Sequence, residues 1–253
     1  VSMYMFHGGT NFWYMNGANT AGGYRPQPTS YDYDAPLGEW GNCYPKYYAF
    51  REVIQKHLPH GTVLPEVPAD NPTTTFATIE LKESAPLQAA FHQTTESENV
   101  LSMEDLGVDF GYIHYQTTIN KAGKQKLIIQ DLRDYAVILV DGKQVASLDR
   151  RYNQNNVMLD IQKAPATLEI LVENTGRVNY GPDILFNRKG ITNQVLCGDE
   201  KLTGWSITPL PLYKEKVSEM NFGESIQGKP AFHKGIFTVR QKGDCFVDMS
   251  RWG

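Results

Sequence analysis

With 253 residues, 41% of them hydrophobic and 21% charged, the chain has an ordinary globular composition and enough length for two domains. A formal net charge of −4 with scattered Lys and Arg argues against a nucleic-acid partner, which needs a concentrated basic face. No apolar run approaches the roughly 18 to 20 residues of a membrane span, and Cys43, Cys197 and Cys245 lie far apart without a CxxC pair or zinc-ligand spacing.

The chain opens on Val1-Ser-Met-Tyr-Met-Phe6, which reads as a buried strand, followed over 7–42 by a loop dense in Gly, Asn, Pro and Tyr. The segment to Phe50 holds nearly half of the aromatic residues together with Asp32, Asp34 and Glu39, a composition that suits a sugar-contacting surface. Pro45 to His57 reads as a helix: Pro45 suits the first turn, where its missing N–H is not needed. Tyr47, Phe50, Val53, Ile54 and His57 recur at helical spacing and mark one buried face. Strand, long loop and helix make one βα unit, the repeating piece of a parallel α/β fold. A strand with no preceding partner and no initiator Met is expected to be the tail of a larger enzyme, cut inside its catalytic domain.

Residues 59–73 carry Pro59, Pro65, Pro68 and Pro72 and read as a stiff linker. The texture then changes to strands: Thr74–Leu81, Tyr112–Ile119, Lys126–Gln130, Tyr135–Val140, Lys143–Leu148, Val157–Ile161 and Ala166–Val172. Asp141-Gly142 between two of them is a strong hairpin signal. Short strands at this spacing, almost free of helix signals, predict an antiparallel sandwich or jelly roll. A second β region is expected from Trp205, with strands at Ala231–Arg240 and Cys245–Met249 and with Trp252 in its core. Three free thiols are expected, and the compartment stays open between secreted, periplasmic, lysosomal and cytoplasmic.

The runs Met3-Tyr-Met-Phe-His-Gly-Gly-Thr-Asn-Phe12, Asn16-Gly-Ala-Asn19, Pro28-Thr-Ser-Tyr-Asp-Tyr-Asp-Ala-Pro36 and Val172-Glu-Asn-Thr-Gly-Arg-Val-Asn-Tyr-Gly181 resemble glycoside hydrolase family 35, the β-galactosidases. The resemblance implies a mostly β chain with four parts. Residues 1–58 would be the final βα unit of a (β/α)8 TIM barrel and 59–73 the linker. Residues 74–204 would form a first β-sandwich and 205–253 a truncated second, galactose-binding-like jelly roll. It implies a retaining exo-enzyme removing terminal β-D-galactose, which needs two carboxylates flanking the bond. In the family both are glutamates on earlier strands, so no catalytic residue is expected here and the chain alone is expected to be inactive. Its partners would be a β-galactoside and the missing part of the barrel, with the oligomeric state open and no metal or organic cofactor implied. Tyr4 and Tyr33 match family tyrosines that face the galactose; Tyr180, by the same resemblance, reaches from the first β domain to wall the galactose site, the alternative being a tyrosine that only anchors a loop of the sandwich. Asp32, Asp34 and Glu39 are expected to brace turns; Trp13, Tyr14 and Trp40 are candidates for stacking on a second sugar. The rival reading is a non-catalytic carbohydrate-binding β-sandwich module.

Overall fold

The structure, a computed structural model, describes residues 2–248. In chain order the first elements are β1 (Gly9–Thr10), β2 (Gly17–Asn19), β3 (Arg25–Pro26), β4 (Ser30–Tyr31) and α1 (Pro45–His57). Then come β5 (Glu83–Pro86), β6 (Thr95–Ser97), β7 (Tyr112–Ile119), β8 (Gly123–Ile129), β9 (Leu132–Arg133), β10 (Tyr135–Val140) and β11 (Lys143–Asp149). The rest are β12 (Asn156–Ile161), β13 (Ala166–Glu173), β14 (Arg177–Val178), β15 (Gly190–Ile191), β16 (Val195–Cys197), β17 (Glu200–Lys201), β18 (Trp205–Leu210), α2 (Lys214–Ser218) and β19 (Ala231–Lys234). The described residues are mostly β, with few helices and predominantly antiparallel sheets. They fall into two compact units: 2–12, Pro28–Glu80 and 236–248 in one, Trp13–Gln27 and Leu81–Gly235 in the other.

The larger unit is a two-layer sandwich. Its six-stranded sheet runs β11-β10-β13-β7-β18-β6 and its four-stranded sheet β12-β8-β16-β17, all pairs antiparallel. Strand side chains alternate between faces with period two, and the sequence obeys this closely. Ile113, Tyr115 and Ile119 of β7, Ala136 and Ile138 of β10, and Leu168, Ile170 and Val172 of β13 all enter one core cluster. Leu127 and Ile129 of β8 and Leu159 and Ile161 of β12 enter the same cluster from the facing sheet. Trp205 and Tyr115 lie at its centre, both fully buried, with the indole N–H donating to the Leu202 carbonyl at 3.1 Å. The alternate residues Leu171, Val137 and Tyr112 face the other way and pack with Ala90, Leu210 and Phe232. Asp141 and Gly142, at φ 49° and 73°, make the tight connection between β10 and β11 that the Asp-Gly pair predicts.

Several expectations are corrected. Residues 2–6 form no strand: a strand exists through its pairing, and here only His7 bridges Leu37, with the Phe6 carbonyl accepting from Leu37 N at 3.0 Å. Helix α1 has the predicted bounds, but its apolar stripe is not buried; Phe50, Val53 and Ile54 are all exposed. The alternating Thr74–Leu81 carries only an isolated bridge beside it, Thr73 to Asp244. Trp205–Leu210, expected to open a second β region, is instead an interior strand of the six-stranded sheet, because its buried Trp205 and Ile207 fill the shared core. Of the strand expected over Ala231–Arg240, only β19 forms, paired with β5, and Cys245 to Asp248 form none. Met249 and Trp252 lie outside the described residues. Cys43, Cys197 and Cys245 are free thiols.

Candidate functional site

In the smaller unit, the motif Gly8-Gly-Thr-Asn and the loop Thr29-Ser-Tyr-Asp-Tyr-Asp34 are folded onto each other. β1 pairs antiparallel with β4, and Asn11 N donates to the Thr29 carbonyl at 2.7 Å. Both glycines are needed for this approach. A Cβ on Gly9 would stand 2.1 Å from the Tyr31 ring, and one on Gly8 would stand 2.9 Å from the Glu39 backbone nitrogen and 3.1 Å from the Asp32 carboxyl. The Tyr31 ring in turn meets Tyr33 edge to face, with centroids 6.2 Å apart.

The acids of this loop hold it in place. Glu39 accepts from Thr10 Oγ1 at 2.8 Å and also from Ser30 Oγ. Asp32 Oδ2 accepts from the Tyr44 hydroxyl at 3.1 Å, leaving Oδ1 buried with no hydrogen-bond partner among the described residues. Desolvation and then this bond to Asp32 raise the Tyr44 pKa. Asp34 pairs with Lys46 at 2.7 Å, and the same ammonium also reaches the Asp34 carbonyl. Asp32, Asp34 and Glu39 thus all take part in contacts that shape the loop.

What the loop presents is a cavity of about 600 Å³, whose lining includes Tyr4, Met5, Tyr33, Asp34, Lys46 and Phe50. Tyr4 is 97% exposed and Tyr33 71%. Tyr33 and Asp34 both adopt left-handed backbone, at φ 55° and 54°. Asp tolerates that region, but for a bulky tyrosine it is an outlier, and such outliers cluster at functional sites. Two of the three tyrosines singled out from the sequence therefore line one cavity.

Tyr180 belongs to the larger unit, where it is exposed just beyond β14. Trp13 meets Phe110 and Tyr213 edge to face, while Tyr14 stacks on Phe110. Trp40 meets Phe246 edge to face, with centroids 5.0 Å apart. Asn16 bridges the Gln27 and Thr175 carbonyls, a loop-building role.

The sequence reading missed a buried polar knot in the same unit. Lys189, fully buried, donates to Asp134 Oδ2 and to the Gly176 carbonyl, each at 2.6 Å. The Tyr24 hydroxyl also reaches both, at 2.9 and 2.6 Å, and Arg150 holds the other oxygen of Asp134 at 2.8 Å. Burial, opposed by the Asp134 charge, pushes the Lys189 pKa down to about 8, and burial also drives that of Tyr24 upward. Five residues meet here, and of them only Gly176 lies in one of the runs quoted from the sequence, Val172 to Gly181. No group of three or more His, Cys, Asp or Glu suited to a metal ion exists among the described residues.

Comparison with known proteins agrees with the motifs. Residues 1–57 match the family model "Glycosyl hydrolases family 35" and residues 100–211 match "Beta-galactosidase, first all-beta domain". A β-galactosidase of Xanthomonas manihotis is 39% identical over 257 residues, covering 100% of this chain and 42% of that protein. The Mus musculus β-galactosidase is 41% identical, covering 83% of this chain and 33% of its own length. That of Homo sapiens is 37% identical, covering 100% of this chain and 40% of its own. The chain thus spans less than half the length of these relatives. With a family-35 model over the loop that builds the cavity, a β-galactosidase domain model over the sandwich and β-galactosidases matching along its whole length, the chain belongs to glycoside hydrolase family 35.

Proposed function

We propose that the chain is part of a retaining exo-β-galactosidase that removes terminal non-reducing β-D-galactose. Residues 1–58 would complete a (β/α)8 barrel whose other strands carry the two catalytic glutamates. The linker 59–73 would lead to a first β-sandwich, expected over 74–204 and joined by β18 through Leu210, with a truncated galactose-binding-like domain toward 253. Tyr4, Tyr33 and Tyr180 are the proposed substrate contacts. A tyrosine hydroxyl can hydrogen-bond a sugar hydroxyl or the nucleophile and so orient the ring. One observation carries the reading: Tyr4 and Tyr33, both exposed, line the same cavity within the residues that the family 35 model matches.

The test is release of nitrophenol from an aryl β-galactoside by this chain, beside a version extended upstream through the remaining barrel. Activity in the extended version alone supports the reading. Activity in the short chain would return Asp32, Asp34 and Glu39 to contention as catalytic carboxylates. Galactoside binding by residues 73–253 alone, with no activity in either version, would favour the carbohydrate-binding module.

A further inference from the structure

We propose that Lys189 is a positioning residue for Tyr180, acting through the carbonyl of Gly176. The proposal rests on the reading of Tyr180 as a sugar contact and names what holds that contact in place.

The Tyr180 ring is 80% exposed. An exposed ring has few neighbours to hold it, so its place follows from the path of its backbone. That path starts at Gly176, four residues earlier, whose carbonyl receives both the Lys189 ammonium and the Tyr24 hydroxyl. The ammonium bond is charge-assisted, which makes it short and strong, and the hydroxyl adds a second donor to the same oxygen. From there β14 runs parallel to β2, with Arg177 N donating to the Asn16 carbonyl at 3.3 Å and Asn179 N to the Ala18 carbonyl at 3.2 Å. The two backbones are in close contact: a Cβ on Gly176 would stand 2.5 Å from the Gly17 carbonyl oxygen, and one on Gly17 would stand 2.3 Å from the Asn179 side chain. Ala18, Tyr24 and Val178 close a small apolar cluster over the pairing.

The knot therefore joins both sides of the β2–β14 pairing. Tyr24 belongs to segment 13–27, which carries β2. Lys189 and Asp134 belong to the sandwich, and Thr175 N and Oγ1 also reach Asp134 Oδ2, at 3.1 and 3.3 Å. A buried lysine–aspartate pair is a poor means of gaining stability, because desolvation offsets the attraction and an apolar replacement is often neutral. Its use here is direction. Lys189, Tyr24 and Asp134 orient the Gly176 carbonyl, and so the four residues that end in Tyr180.

The test uses whichever of the two chains compared above is active. Tyr180→Phe is expected to raise KM for the aryl galactoside, and Lys189→Met is expected to raise it by about tenfold with kcat within about threefold, the mark of lost uniform binding. In the Tyr180→Phe background Lys189→Met should add little further to KM, since coupled residues are not additive. Tyr24→Phe, which removes one hydroxyl and leaves the charges, should repeat the pattern more weakly and serves if Lys189→Met fails to fold. An unchanged KM in both Lys189→Met and Tyr24→Phe, or equal KM effects with and without the Tyr180 hydroxyl, overturns the positioning role. If Tyr180→Phe itself leaves KM unchanged, the reading of Tyr180 falls, and the positioning role falls with it.

Discussion

Gly9 and Lys189 illustrate how single residues decide local structure here by opposite means, one by having no side chain and the other by burying a charged one. Replacing Gly9 with Ala would force its Cβ into the Tyr31 ring. Overpacking of this kind costs about 1–3 kcal/mol, and it should appear as lost amide protection at Asn11, whose N–H reaches across to Thr29. Lys189 yields a pH prediction whose sign follows from its depressed pKa. It titrates near 8 in the folded chain, against an ordinary value of 10.5. Between those values the unfolded chain binds more protons, so this group makes stability rise with pH across that window. The unfolding free energy of the natural chain minus that of Lys189→Met should therefore climb from pH 8 to 10, by at most about 1.4 kcal/mol per pH unit. A flat or falling difference would mean that the Asp134 charge outweighs burial.

Among the elements, β13 and α1 carry opposite expectations although both read as strongly patterned. Leu168 of β13 is fully buried between the sheets, so Leu168→Ala leaves a cavity and should destabilise the sandwich by about 2–5 kcal/mol in denaturant unfolding. Val53 of α1 is 53% exposed. Val53→Lys should change stability by no more than about 0.5 kcal/mol in this chain, as surface substitutions do. The alternation of β7, β10 and β13 was readable because each strand buries one full face, and a one-residue slip would expose the whole apolar set. The same pattern over Thr74–Leu81 misled, since alternation states which residues want burial and not whether a partner strand is there. Trp205–Leu210 misled differently: nothing local distinguishes a strand that joins an earlier sheet from one that starts a new domain.

For the whole molecule the main consequence is apolar surface left open on the smaller unit, where Tyr4, Phe12, Phe50, Val53 and Ile54 are exposed. Contiguous exposed apolar surface drives association. The 253-residue chain should bind a hydrophobic dye and self-associate with rising concentration in sedimentation, and Val53→Lys should reduce both. A monomeric, dye-silent chain would speak against the reading of α1 as a barrel helix waiting for its neighbours.

Local sequence determined a good deal: the bounds of α1 from Pro45 and the helical spacing after it, the strands of the sandwich from their period, the β10–β11 turn from Asp-Gly, and the family from its motifs. These are properties of neighbours in the chain, where sterics and hydrogen bonding act over a few residues. Tertiary structure alone decided that Gly8 and Gly9 are vacant so that Asp32 and Tyr31 can lie against them, that Tyr4 and Tyr33 share a cavity, and that Tyr24, Asp134, Gly176 and Lys189 meet. Those contacts join residues from 13 to 165 positions apart. Their energies depend on burial and approach that no local pattern encodes, so only the folded chain brings them together.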